Sequence, residues 1–183
     1  MPQEKKPPIL AYLSLPSFLT IVSSSVEVFR RETIGYLVGV KAETNKFLVE
    51  YAIPYQTAES TATHATIDTD RVSRINEILE RLSEGLEYIG DFHSHTQYGD
   101  CPGTVIPSNT DLLSTVPGEL NIICAVNSKK KSVDWHETHV GILAGTVGEY
   151  RIEIGGYYVA EPTIGRQYRR VTIKCPSVTG IND

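Results

Sequence analysis

Apolar positions along the chain switch between a period of two and a period near 3.6, and the switches divide it into short strands and helices. Ile9–Leu15 reads as a short strand, and the stripe after it predicts a helix from about Pro16 to Arg31, with Pro16 or Ser17 near its start. Residues 34–42 and 46–54 are β-rich runs joined by Glu43-Thr44-Asn45, the pattern of a hairpin. Tyr55 to Thr69 is polar and threonine-rich; it reads as loop, with room for one short extra strand. Val72, Ile75, Leu79 and Leu82 recur at helical spacing and predict a helix over Asp70–Ser83, stopped by Gly85. Leu86–His95 returns to strand, carried by Leu86, Tyr88, Ile89 and Phe92, and a short helix over Ser108–Ser114 ends at Pro117-Gly118. Leu120–Val126 is almost continuously apolar, as a buried central strand is. Val133–Leu143 and Glu149–Val159 read as further strands, set off by Lys129-Lys130-Lys131 and by a Gly145–Gly148 turn. Tyr168–Lys174 then adds an edge strand before the chain frays. The sum is a mixed α/β sheet flanked by helices.

Candidate chemistry gathers between residues 90 and 111. Side chains two apart on a strand share a face, so His93 and His95 project together and the small Ser94 turns away. After a Gly/Pro-rich loop, Ser108 stands at the N-cap of the short helix and Asp111, three residues on, lies at the same end. Two imidazoles and one carboxylate suffice to hold zinc with a fourth position left open. Each half has a plainer reading. A strand histidine is often only hydrogen-bonded, and Ser-x-x-Asp is a helix cap that needs no metal. Both halves in order favour the metal.

A third element stands upstream, Glu32-Thr33-Ile34-Gly35-Tyr36-Leu37-Val38-Gly39. With it the sequence resembles the JAMM (MPN+, Mov34/JAB) zinc metalloproteases: a glutamate opening a Gly-x-Leu-x-Gly strand, then His-x-His, then Ser-x-x-Asp. Glu32, His93, His95, Ser108 and Asp111 fall on that pattern in order. The loop before the serine departs from it, because relatives usually have a shorter one opening with proline. Here it runs to twelve residues, Thr96 to Pro107. Lengthening a loop costs little closure entropy, so the insertion alters what lies above the metal and leaves convergence of the ligands intact.

The resemblance implies a three-layer, cytidine-deaminase-like α/β fold holding one catalytic zinc on His93, His95 and Asp111. Glu32 would be the general base and acid, and Ser108 the hydroxyl donor to the oxyanion. An acid at a helix C-terminus is disfavoured by roughly 0.3–1 kcal/mol, and such a role gives Glu32 a reason to be there. The implied activity is that of an isopeptidase acting on ubiquitin or a ubiquitin-like modifier, by deconjugation or precursor processing, and more like a stand-alone prokaryotic enzyme than a complex subunit. Alternatives are a non-catalytic MPN scaffold and a metallopeptidase trimming short peptide adducts. Asp91, where relatives often carry an aromatic, reads either as a partner for a histidine ring N–H or as a solvent-facing acid. The loop 96–107 reads as a flap that orders on substrate binding. Its Cys101 is a plain loop cysteine or, alternatively, a thiolate reaching the zinc.

Length and charge narrow this further. At 183 residues and 40% hydrophobic, one catalytic domain over 1–160 is expected, with 161–183 a C-terminal extension. A net charge of −5 argues against nucleic acid as a partner. Arg166, Arg169 and Arg170 read as a solvated basic tail. Three widely spaced cysteines suggest neither a disulfide framework nor a cysteine zinc site, and fit a reducing cytoplasm. Lys5-Lys6 followed by Ile9–Leu13 imitates a signal peptide, but Pro7, Pro8 and Pro16 interrupt it. No apolar run approaches the ~20 residues of a membrane span. His136-Glu137-Thr138-His139 is one residue short of a zincin motif and sits in a strand-like context, so it is read as ordinary strand. His64 is assigned no role, and oligomeric state is left open.

Overall fold

Ser14 decides where the first helix begins. Extended at φ −65° and ψ 161°, its side chain accepts the Ser17 N–H, and Pro16 follows in the first turn, where a missing N–H costs nothing. Strand β1 (Ile9–Leu13) therefore passes directly into α1 (Leu15–Glu27). The computed structural model describes residues 7–55, 59–60, 65–66, 69–82, 85–160 and 167–180. Helix α1 buries Phe18, Ile21 and Val22 together with Ser17, Ser24 and Ser25. Those serines keep the helix face thin, and Ser24 and Ser25 satisfy their buried hydroxyls by donating to carbonyls one turn back, each at 2.7 Å.

Strands β2 (Ile34–Glu43) and β3 (Lys46–Pro54) form the expected hairpin. Two-residue strands β4 (Glu59–Ser60) and β5 (Ala65–Thr66) pair within the segment read as loop. Helix α2 (Thr69–Leu82), strand β6 (Glu87–Thr96), helix α3 (Asn109–Ser114) and strand β7 (Leu120–Ser128) fall within a residue or two of the boundaries expected from periodicity. His64 and Arg166 lie outside the described residues.

The C-terminal third differs from expectation in two places. Val133–Leu143 is not one strand. Only His136–Glu137 is paired, as β8, and the chain then turns through Thr138–Gly141 into β9 (Leu143–Val147). Gly141, at φ +81°, supplies a conformation that few other residues adopt, and that glycine breaks the run. Gly145 accordingly belongs to β9, opposite Ile152 of β10 (Tyr150–Tyr158).

The second difference is larger. Arg169–Lys174, expected at an edge, is β11, parallel to β1 on one side and antiparallel to β10 on the other. Val171 and Ile173 are fully buried, which is why this strand sits inside the sheet. Arg169 and Arg170 belong to it rather than to a solvated tail, and α4 (Pro176–Thr179) follows where fraying was expected. The nine-stranded order β11-β1-β3-β2-β6-β7-β10-β9-β8, with β11 also on β10, closes seven strands into a ring. Strand β10 serves both branches, residues 150–154 holding β9 and 156–158 holding β11. The result is a mixed α/β fold, rich in strands and poor in helices.

One stretch of register positions the site. Parallel β6 and β7 align Ser94 with Cys124, both fully buried against the core, so His93 and His95 emerge on the opposite face. The β2–β6 ladder begins at Ile34 opposite His93, which brings the residue before Thr33 to the end of the histidine strand.

Candidate metal centre

The two imidazoles meet Asp111 at one point. His93 Nε2 and His95 Nε2 are 3.1 Å apart, His93 Nε2 lies 3.5 Å from Asp111 Oδ1, and His95 Nε2 lies 3.4 Å from Asp111 Oδ2. Four-coordinate zinc with ligands at about 2.0–2.2 Å places its ligand atoms about 3.3–3.6 Å from one another. His93 meets one carboxylate oxygen and His95 the other, and one ligand atom from each of the three side chains lies within 4.8 Å of the others, close enough to share one ion. Among the described residues they form the one group of three or more His, Cys, Asp or Glu side chains gathered tightly enough for an ion.

Each side chain is held by something local. Helix α3 has a full capping box: Ser108 Oγ accepts the Asp111 N–H at 3.2 Å, and Asp111 Oδ2 accepts the Ser108 N–H at 2.6 Å. The cap therefore aims the carboxylate, and the plain and functional readings of Ser-x-x-Asp are the same geometry. His95 Nδ1 lies 2.8 Å from the carbonyl oxygen of Thr104, so Nδ1 carries a proton, and Nε2 is the nitrogen that faces Asp111, donating to it when the ring is charged and free for an ion when it is neutral. That carbonyl belongs to the inserted loop. Its role could not be read from sequence, because any residue supplies a carbonyl.

Glu32 reaches the same place by a different route. Ser94, between the two histidines, points inward; its Oγ accepts the Thr33 N–H at 2.9 Å while its own N–H donates to Thr33 O at 2.9 Å. This clasp fixes the backbone next to Glu32. Sequence alternation showed Ser94 turned away but gave no sign of its partner.

The electrostatics follow from burial and proximity. Burial lifts the Glu32 carboxyl to about 7, against the pull of His95 and with the push of Asp111. Burial also opposes ionisation of Asp111, but hydrogen bonds from His93 and His95, the charge of His93 and the Ser108 N–H outweigh it and hold the carboxyl well below the usual carboxylate range. His95 loses basicity to burial and regains more from Asp111, Thr104 and Glu32, so its net shift is upward.

A family model for prokaryotic homologs of the JAB domain matches residues 15–138. That span runs from α1 through β8 and includes Glu32, both histidines, Ser108 and Asp111. The chain is a prokaryotic JAB-domain protein. The solution structure of protein DSY2949 from Desulfitobacterium hafniense is similar in fold, at a TM-score of 0.59 and 14% identity, covering 90% of this chain and 93% of that one. No curated protein matches the sequence.

Other candidate residues of this JAB domain are placed apart from the centre. Cys101 is exposed in a small Tyr98–Cys101 bridge and is not part of the ligand group, so the thiolate switch finds no support; Cys124 and Cys175 are buried and unpaired with each other. His136 lies 2.8 Å, through Nδ1, from Asp134 O, and Glu137 is paired with Lys174 at 2.9 Å; the zincin-like stretch, expected to be strand throughout, is two strand residues followed by a turn and gathers no ligand group. Asp91 is not solvent-facing. Its Oδ1 is buried without a hydrogen-bond partner, and burial raises the carboxyl to about 7, with Tyr88 pulling it down and Glu119 pushing it up. It shares a row across four strands with Tyr36, Asn121 and Tyr157, one pleat from His93. The loop 96–107 is tied to the scaffold at several points: Thr104 to His95, Gly103 to Asn127 at 2.8 and 3.0 Å, and Gln97 to Ser128 at 2.9 Å. Among the described residues no helix is long and apolar enough to cross a membrane.

Proposed function

We propose that this protein is a zinc-dependent peptidase of the JAMM type that hydrolyses the amide or isopeptide bond after the C-terminus of ubiquitin or a ubiquitin-like modifier. The observation that carries the reading is the convergence of His93, His95 and Asp111 on one point, with Glu32 in their electrostatic field. The JAB-domain family includes metalloproteases, and this chain has the glutamate, His-x-His and Ser-x-x-Asp residues of their pattern in order, with a longer loop before the serine. The three-layer, cytidine-deaminase-like arrangement belongs to the same reading, and α1 against β3 and β7 with α2 against β6 supports it.

Zinc, bound by the three ligands, would supply Lewis acidity that makes water a competent nucleophile near neutral pH. Glu32 takes one proton from the attacking water and later delivers it to the leaving amine as the C–N bond breaks, so the carboxylate is regenerated each cycle. A carboxyl lifted to about 7 by burial is suited to both transfers. Ser108 spends its oxygen on the Asp111 N–H and keeps its hydroxyl proton for the oxyanion. Thr104 holds His95 in the tautomer that can ligate. The modifier is the substrate partner, and the compartment proposed is the cytoplasm, where three free thiols are compatible with the redox state.

Fusions of ubiquitin-like modifiers to a reporter, incubated with wild type, Glu32→Gln and chelator-treated protein, test this directly. Cleavage by wild type alone is expected. Cleavage that persists in both treated samples would refute the assignment, and retention of metal without any cleavage would favour a scaffold.

A further inference from the structure

Two cavities lie side by side where the parallel strands β6 and β7 end. One, of about 370 Å³, is lined by Phe29, Arg30, Gln97, Tyr98, Gly99 and Ser128. The other, of about 470 Å³, is lined by Asn127, Ser128, Lys130, Lys131, His136 and Arg151, with Val133. Ser128 belongs to both, so the two hollows are neighbours on one grooved surface. Its first half adjoins the candidate centre by chain connection at two points: Arg30 precedes Glu32 by two residues and Gln97 follows His95 by two.

The groove is cationic in a protein whose net charge is −5. Arg151 is partly neutralised by Glu153 at 3.2 Å. Among the described residues no carboxylate pairs with Arg30, Lys130 or Lys131. Arg30 is held at φ +87°, the one non-glycine residue at positive φ among those described. The groove is also preformed. Gln97 Oε1 accepts the Ser128 N–H, the Asn127 amide bonds Gly103 in both directions, and Val105 packs where a Cβ on Gly155 would stand, 2.7 Å away. Tyr98, 72% exposed, stands at the rim.

We infer that this groove binds an extended acidic peptide segment, the part of the protein substrate that flanks the bond presented to the metal centre. The inference deepens the peptidase reading and takes its meaning from it. Two open hollows that meet at Ser128 and carry cations from separate segments of chain match carboxylates spaced along an extended peptide, where a compact ligand would call for a single closed pocket. Cations arranged this way set which substrates are captured and how fast.

The test is binding, measured on metal-free protein so that it does not depend on catalysis. A fluorescein-labelled octaglutamate peptide is titrated by anisotropy at 50 and 500 mM NaCl, beside an octalysine peptide and an oligonucleotide of equal charge. Wild type is expected to bind octaglutamate at low salt and to lose at least tenfold in affinity at high salt. The double variant Lys130→Glu/Lys131→Glu, and separately Arg30→Glu, should each weaken binding at least tenfold, with Lys130→Gln/Lys131→Gln intermediate and Lys46→Glu unchanged. Equal affinity for octalysine, tighter binding of the oligonucleotide, or indifference to the lysine and arginine variants would overturn the proposal. Octaglutamate binding without cleavage of any modifier fusion would remove the peptidase reading and leave the groove's acidic-peptide specificity standing.

Discussion

Asp111 and Asp91 are two largely buried carboxylates within one patch of the same sheet face, and they have opposite fates. Asp111 meets two imidazoles and a helix N-cap, and is held ionised far below the ordinary range. Asp91 meets Tyr88 and the like charge of Glu119, leaves Oδ1 without a partner, and is lifted to about 7. Burial opposes charge at both positions; donors decide the outcome. The comparison separates a carboxylate kept charged within a group that could hold an ion from one that sits near that group by register alone.

The largest effect expected is from Asp111→Asn, which removes the negative charge facing the two imidazoles while leaving an amide oxygen to accept the Ser108 N–H. Metal affinity should fall by well over the 10–100-fold typical of losing a supporting group, as read by metal content after dialysis. Next is Ser108→Ala. Turnover should drop about 10²–10³-fold with metal content retained; an equal loss of metal would show that its capping of Asp111 matters more than its hydroxyl proton.

Asp91→Asn sharpens the other side of the comparison. The unfolded chain releases this proton near 3.8, and the folded protein keeps it to about 7. Between those values the folded state binds more protons, so stability falls as pH rises through the window. The asparagine variant should therefore gain on the order of 1–3 kcal/mol over wild type at pH 8 and almost nothing at pH 4. Urea denaturation of metal-free protein at both pH values measures this, and a constant difference between variants would end the account. Smallest is Cys101→Ser, in an exposed bridge outside the ligand group. It should change stability by no more than ~0.5 kcal/mol and leave metal content unaltered.

What the sequence determined by itself was local. Alternation put His93 and His95 on one face, the Ser108-x-x-Asp111 spacing set the cap that aims the carboxylate, and periodicity located α2, the β2–β3 hairpin, β7 and the start of α1, which stops at Glu27 rather than Arg31 and so leaves Glu32 beyond the helix end. These features depend on neighbours within a turn or a few strand residues, so the sequence carries them openly. The distant pairings were decided only in three dimensions. Strand β11 closes the ring between β1 and β10, Ser94 clasps Thr33 across 61 residues, Thr104 fixes the His95 tautomer, and Gly141 splits a strand that composition alone would continue. The burial of Asp91 is of the same kind, because its environment is supplied by Tyr88, Glu119 and the neighbouring strands rather than by its own short stretch of chain. Backbone carbonyls, ring closure and desolvation have no residue-type signature, and so the chemistry of the site was legible before the forces that hold and tune it.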